Sequence, residues 1–266
     1  MSSALRHRVD GPEDAPVVVL GPSLGTDLTF FDDQVHALKS RWRVIRFDLP
    51  GHGGSPAPPG PYSIADLAGR VLDLLRELGV DRFGYVGVSI GGAIGQWLGV
   101  HHADVVTSLV VCTSAARFGD PQAWRDRAAR VRREGTDWLI PSRHGTWFTA
   151  GFARRDPGRV AWLLDMLRGT EPEGYAGCCE AIAGFDIRDL LPRITAPTLV
   201  IAGERDPATP VSSSREIAGA VPGARLVVVP GASHLANVER PDVVDQLISE
   251  HLEAGENRCD ALSRLS

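Results

Sequence analysis

Short β-branched runs that alternate with longer helical patterns predict an α/β fold, a mostly parallel sheet flanked by helices. Three observations carry this. The apolar runs are four or five residues long and bounded by Gly, Pro, Asp or Ser, as expected of strands buried on both faces. The segments between them repeat with a helical period. The 266-residue chain, 43% hydrophobic and 23% charged, also holds enough apolar material for one sizeable core.

In chain order the expected strands are Val17–Leu20, Val44–Phe47, Phe83–Gly87, Ser108–Cys112, Thr198–Ala202 and Arg225–Val229. Residues 63–78 place Ile64, Leu67, Ala68, Val71, Leu74, Leu75 and Leu78 on one stripe, with Ser63 as the N-cap. A helix over 91–100 follows the third strand directly, and 241–252 form another that opens on Pro241 at N1. The alternation stops between 116 and 192. There Asp120-Pro121 and Asp156-Pro157 each read as an N-cap followed by N1, so this stretch is expected to be a helical cap. The division is therefore a core of 1–115 and 193–252, a cap of 116–192, and a polar, unpatterned tail of 253–266.

Composition excludes several classes. The net charge of −5 and the lack of an interleaved aromatic stripe argue against nucleic acid as a partner. No apolar run approaches the roughly 20 residues a membrane span needs, so no membrane partner is expected. Residues 1–10 show no apolar signal core, and a soluble cytoplasmic protein is the expectation. Cys112, Cys178, Cys179 and Cys259 form no C-x-x-C pair and read as free thiols. The sequence leaves the oligomeric state open. From Arg117 to Arg168 there are 11 arginines against 6 acidic residues, so the cap is positive over an acidic remainder and would draw small anions towards it. Only Lys39 among 28 basic residues is lysine, however, which looks like coding bias and promotes no single Arg.

The chemistry begins at Gly87-Val88-Ser89-Ile90-Gly91, between an expected strand and an expected helix. A sharp strand-to-helix turn exposes the serine hydroxyl and aims the helix N-terminus at the site, which makes Ser89 the candidate nucleophile. Serine needs a base to take its proton. In this architecture the order is nucleophile, acid, base, which leaves His101, His102, His144, His234 and His251. His101 and His102 end the elbow helix, His144 lies in the cap, and His251 lies on an amphipathic helix. His234, in a loop just after the last strand, is the base. Asp206, after the strand Thr198–Ala202, is the acid; Glu204 is the competitor, with Arg205 as a ready surface partner. The oxyanion donors are the backbone amides of Ile90 and of Leu24, the latter in the turn after the first strong strand.

These residues carry a resemblance. The chain resembles the α/β-hydrolase superfamily from Val17 to about Leu252, including a turn Asp48-Leu49-Pro50-Gly51-His52-Gly53-Gly54-Ser55 in which His52 is not the base. More narrowly it is similar to the 3-oxoadipate enol-lactonases of the β-ketoadipate pathway, through SLGTDL (23–28), CTSAARFG (112–119), WFTAGF (147–152), EGYAGCCEAI (173–182) and ASHLANVERPD (232–242). Two departures stand out: the family's first edge strand is short or absent near residues 5–11, and Pro22-Ser23 replaces the superfamily's common His-Gly.

The resemblance implies an α/β-hydrolase fold with the cap inserted after the sixth strand. It also implies a cofactor-free, metal-free serine hydrolase that opens a small anionic lactone, 3-oxoadipate enol-lactone, in the catabolism of protocatechuate and catechol. On the helix opening at Pro121, Arg127 and Arg132 border an apolar face of Trp124, Ala128 and Val131, and are candidates for the substrate carboxylate; Trp124 and Trp147 are candidate pocket walls. A general carboxylesterase, a cofactor-free haloperoxidase and a non-catalytic binding protein of the same fold are the alternatives. With position 89 as the nucleophile a haloalkane dehalogenase is excluded, because that chemistry needs a carboxylate there. P-loop, dinucleotide and H-E-x-x-H motifs are absent.

Overall fold

The structure, a computed structural model, describes residues 5–263, and their side chains through Glu256. Seven strands form one sheet: β1 (His7–Asp10), β2 (Val17–Gly21), β3 (Arg43–Phe47), β4 (Phe83–Val88), β5 (Val106–Cys112), β6 (Thr198–Gly203) and β7 (Arg225–Val229). Their order is β1-β3-β2-β4-β5-β6-β7, with every pair parallel except β1 with β3. All six expected strands are present, within two residues at either end. β1 has no apolar run and three exposed residues, so no burial pattern marked it; pairing with β3, Val9 opposite Ile45, makes it a strand.

The helices are α1 (Asp32–Leu38), α2 (Ile64–Glu77), α3 (Ile90–His101), α4 (Pro121–Glu134), α5 (Ile140–Arg143), α6 (Ala150–Arg155), α7 (Pro157–Arg168), α8 (Pro172–Ala183), α9 (Val211–Ala220), α10 (Ala236–Glu239) and α11 (Pro241–Ser263). Ser63 caps α2 in a reciprocal box: its Oγ accepts from Asp66 N at 3.0 Å and Asp66 Oδ2 accepts from Ser63 N at 2.8 Å. Asp120 and Asp156 cap α4 and α7 as expected, each accepting a backbone N–H at 2.9 Å.

Helices α4 to α8 all fall between β5 and β6. The insertion thus leaves the sheet after the fifth strand of this chain, not a sixth, because the implied count includes an edge strand not found among the described residues. A second correction concerns residues 253–266. Most of that stretch continues α11 to Ser263, where Arg41 pairs with Glu253 at 2.5 Å and Gly255 lies against Ser108. Polar composition hid a helix whose anchors come from distant residues. Cys112, Cys178 and Cys179 are buried free thiols, while the Cys259 side chain lies outside the described residues. Among the described residues no helix is long and apolar enough to cross a membrane.

The sheet reverses its winding between β2 and β4: the chain builds one way from β2 to β3 and the other from β4 to β7. The crevice beyond the carboxyl ends of β2 and β4 is where such sheets bind ligands. Close backbone approach makes this crevice. A Cβ on Gly91 would stand 2.0 Å from Gly21 O, so only glycine lets the start of α3 rest on the end of β2.

Candidate active site

Ser89 stands at the tip of the turn between β4 and α3 with φ 57° and ψ −118°, a left-handed conformation unusual outside glycine. Ser89 N donates to Cys112 O at 3.0 Å, and a Cβ on Gly87 would lie 2.2 Å from Gly91 O, so only glycine at 87 lets the turn close this tightly. Asp206 follows β6 and His234 follows β7; all three side chains are almost buried, 7%, 4% and 5% exposed in chain order. His234 Nδ1 lies 2.8 Å from Asp206 Oδ2. A carboxylate can only accept, so Nδ1 carries the proton and Nε2 is left to accept one.

The Asp206 carboxylate is held from every side. Oδ1 accepts from Ala208 N at 2.8 Å and Thr209 N at 3.1 Å, and Oδ2 accepts from Thr209 Oγ1 at 2.7 Å. Burial pushes its pKa up, but the charge and hydrogen bond of His234 and the Thr209 donors outweigh that, and the carboxyl is held below the usual range. Glu204, the competing acid, is exposed and accepts from Gly231 N at 2.8 Å, so its partner is the backbone of the β7 turn and not Arg205.

Ser89 and His234 open into one cavity of about 360 Å³. Leu24 lines it from a turn locked by Thr26, whose N and Oγ1 both donate to Ser23 O, with Gly25 at φ 85°. Ile90 begins α3, so its amide lies beside the serine. Trp124, Arg127 and Trp147 line the same cavity, and the Arg127 guanidinium lies 4.4 Å over the Trp124 ring.

Arg132 does not reach it. α4 packs on α8, and Arg132 is bound to Glu173 (Nε 2.8 Å, Nη2 3.0 Å) and Glu180 (Nη1 2.6 Å, Nη2 2.9 Å). The two glutamates lie seven residues apart on one face of α8, a juxtaposition no wheel drawn for α4 alone can show. The candidate role of Arg132 at the substrate carboxylate is corrected on this ground.

Another arginine, which sequence reasoning passed over, does stand on the cavity wall. Arg143 lines the cavity and is 7% exposed, with its guanidinium 5.5 Å from the Trp147 ring. Nη2 donates to Ser142 Oγ at 2.9 Å, Nε has no hydrogen-bond partner, and no carboxylate lies within 4 Å of it among the described residues. Burial lowers its pKa, and neighbouring Arg127 lowers it further against an opposing contribution from Tyr175. Tyr175, also on the cavity wall, has its phenol pushed up to about 12, chiefly by burial. Arg143 ends a four-residue helix in an arginine-rich cap, where neither periodicity nor identity could single it out.

Glu239 was also missed. It is 5% exposed and accepts from Ser233 N at 2.8 Å and from Thr149 Oγ1 at 2.8 Å, which ties the loop of His234 to the start of α6. His234 N and Ser233 Oγ donate to Thr146 O at 3.3 and 2.7 Å, and Leu235 N to Trp147 O at 2.8 Å. Cap and base loop are thus laced together. Five other histidines stand elsewhere: His52 is fully buried on Pro50 O at 2.9 Å, with burial lowering its pKa to about 4. His101 stacks on Trp97, and His102 lies tilted against the same ring; His144 meets Phe148, and His251 faces Pro197 O.

The chain is similar in sequence and fold to known proteins. The chain is 37% identical to 3-oxoadipate enol-lactonase 2 of Acinetobacter baylyi over 92% of its own length and 91% of that protein's. It superposes on the crystal structure of the enol-lactonase from Burkholderia xenovorans LB400 with a TM-score of 0.91 at 42% identity, covering 94% of this chain and 96% of that one. A thermophilic esterase from Thermogutta terrifontis superposes with a TM-score of 0.89 at 30% identity, over 94% and 93%. The family model for the alpha/beta hydrolase fold matches residues 16–241, and the chain belongs to that family.

Proposed function

We propose that this hydrolase opens the ring of 3-oxoadipate enol-lactone by serine catalysis, the activity of the enol-lactonases it is similar to. The observation that carries the reading is the pair Arg143 and Arg127 in the cavity of Ser89 and His234. A buried guanidinium with no carboxylate partner is costly unless a ligand supplies one, so the cavity calls for a small anionic substrate. A plain carboxylesterase has no use for that pair.

His234 Nε2 takes the proton of Ser89 Oγ as the oxygen attacks the lactone carbonyl. The tetrahedral oxyanion is received by the amides of Ile90 and Leu24. Collapse breaks the ring C–O bond and expels an enolate, a better leaving group than an alkoxide, which His234 protonates. Water, deprotonated by His234, then attacks the acyl-serine and releases a carboxylate and free Ser89. The enol becomes the ketone, one water is consumed, and no cofactor takes part. Trp124 and Trp147 bound the ring while Arg127 and Arg143 hold its carboxylate. We assign the reaction to aromatic-compound catabolism on the same resemblance.

The test is loss of enol-lactone ultraviolet absorbance with purified protein, beside Ser89→Ala. Rapid turnover that vanishes in the variant is the expected result. Cleavage of a simple aryl ester without turnover of the lactone would remove the lactone assignment and leave an esterase.

A further inference from the structure

Among the described residues two non-glycines have positive φ, and they face each other. Ser89 (φ 57°) ends β4, and Thr113 (φ 42°) ends its neighbour β5. For a β-branched residue this is a strained conformation, held only where the surroundings over-determine it. Thr113 N donates to Ile201 O at 2.7 Å, so the chain keeps its pairing with β6 to the last rung and then turns sharply. That turn delivers Ser114, 1% exposed, beneath the elbow.

Ser114 Oγ lies 2.7 Å from Ser89 O. A carbonyl can only accept, so the hydroxyl proton points there. Ala93 N donates to the same oxygen at 3.1 Å. Gln96 Nε2, at 3.2 Å from both Gly92 O and Ala115 O and 3.4 Å from Ser114 Oγ, pins α3 to the turn that carries Ser114. The peptide unit bearing Ser89 O also bears Ile90 N–H, and in a trans peptide the two point in opposite directions. A hydrogen bond donated to the carbonyl therefore fixes the plane of that amide and makes its N–H more acidic on the far side.

We propose that Ser114 is a positioning residue of the oxyanion site, its hydroxyl orienting and polarising the Ser89–Ile90 peptide whose N–H receives the developing negative charge. This rests on the serine-hydrolase reading above. Packing alone would need only the Ser114 Cβ, which already lies close against Gly92. The hydroxyl is what the strained turn at Thr113 delivers to Ser89 O.

Ser114→Ala keeps the Cβ and removes the donor, and Ser114→Cys keeps a weaker one. Both are compared with wild type in hydrolysis of the enol-lactone and of p-nitrophenyl acetate. Inhibition is measured with phenylboronic acid, whose tetrahedral adduct on Ser89 places an oxygen at the oxyanion site, and with 3-oxoadipate, which forms no adduct. Ser114→Ala is expected to lower kcat about 3- to 10-fold with KM within twofold, because it weakens a donor without deleting it. The Ki of phenylboronic acid rises by the same factor, that of 3-oxoadipate stays put, and Ser114→Cys falls between. An unchanged boronate Ki, or a parallel loss of 3-oxoadipate binding, would overturn the proposal; should Ser114→Ala fail to fold, Ser114→Cys decides on the same criteria. A wild type active on the aryl ester alone removes the lactone assignment and leaves this comparison intact. One whose hydrolysis survives Ser89→Ala overturns both.

Discussion

Replacing Arg143 by methionine should weaken the enzyme and strengthen the protein. The side chain is 7% exposed, its Nε has no partner, and burial disfavours its charge. Hydrogen bonds to a charged group contribute about 1.5–3 kcal/mol, so losing one substrate carboxylate contact lowers kcat/KM for the lactone by about 10- to 150-fold. A neutral aryl ester has no carboxylate to lose and should change less than threefold. In the free protein, methionine fills similar volume without an unpaired charge, a gain of about 1–2 kcal/mol, or about 2–8 °C in Tm for a chain of this size. Arg143→Lys keeps the charge but not the planar fork, and should fall between on the lactone. The assays are kinetics on both substrates and thermal unfolding without ligand. Equal losses on lactone and ester, or a lower Tm in Arg143→Met, would refute the reasoning, because Arg143 would then be structural.

Two further outcomes follow from the same geometry. Arg132→Ala should leave kcat/KM for the lactone within twofold, since its partners are Glu173 and Glu180. Its Tm should fall by about 2–4 °C, from a partly exposed bridge between α4 and α8 that contributes about 1 kcal/mol. His52, neutral down to about 4 in the fold against 6.5 when unfolded, makes the unfolded chain bind more protons between those values. Stability therefore falls as pH drops through that window, by up to about 3 kcal/mol, and His52→Gln should flatten that part of the slope in urea unfolding at pH 7 and 4.5. An equally steep slope in the variant would place the acid sensitivity elsewhere.

What could be read without coordinates followed from local signals. The buried strands announce themselves as β-branched runs, and Gly87 to Gly91 places a serine between a strand and a helix. Asp206 and His234 then follow from strand ends and chain order, and the structure brings the two within 2.8 Å of each other. β1 and the continuation of α11 to Ser263 escaped because neither has a pattern of its own; pairing and distant anchors make them regular. Arg132 and Arg143 look alike in the sequence, two arginines in a cap full of them. Only packing separates them: α4 against α8 sets Arg132 on two glutamates, and the short helix α5 sets Arg143 on the cavity wall.

The amino-acid sequence by itself thus determined the six buried strands, the helices with a clear period or cap, the elbow and the order of the groups along the chain. Each of these depends on neighbours within a few residues, or on a period the chain carries. Tertiary structure alone decided which arginines meet a carboxylate and which line the cavity without one. It also decided how Glu239 laces the cap to the base loop, and why Thr113 accepts strain to set Ser114 beneath Ser89. Most of those depend on contacts between residues tens of positions apart, where burial and geometry set the energy.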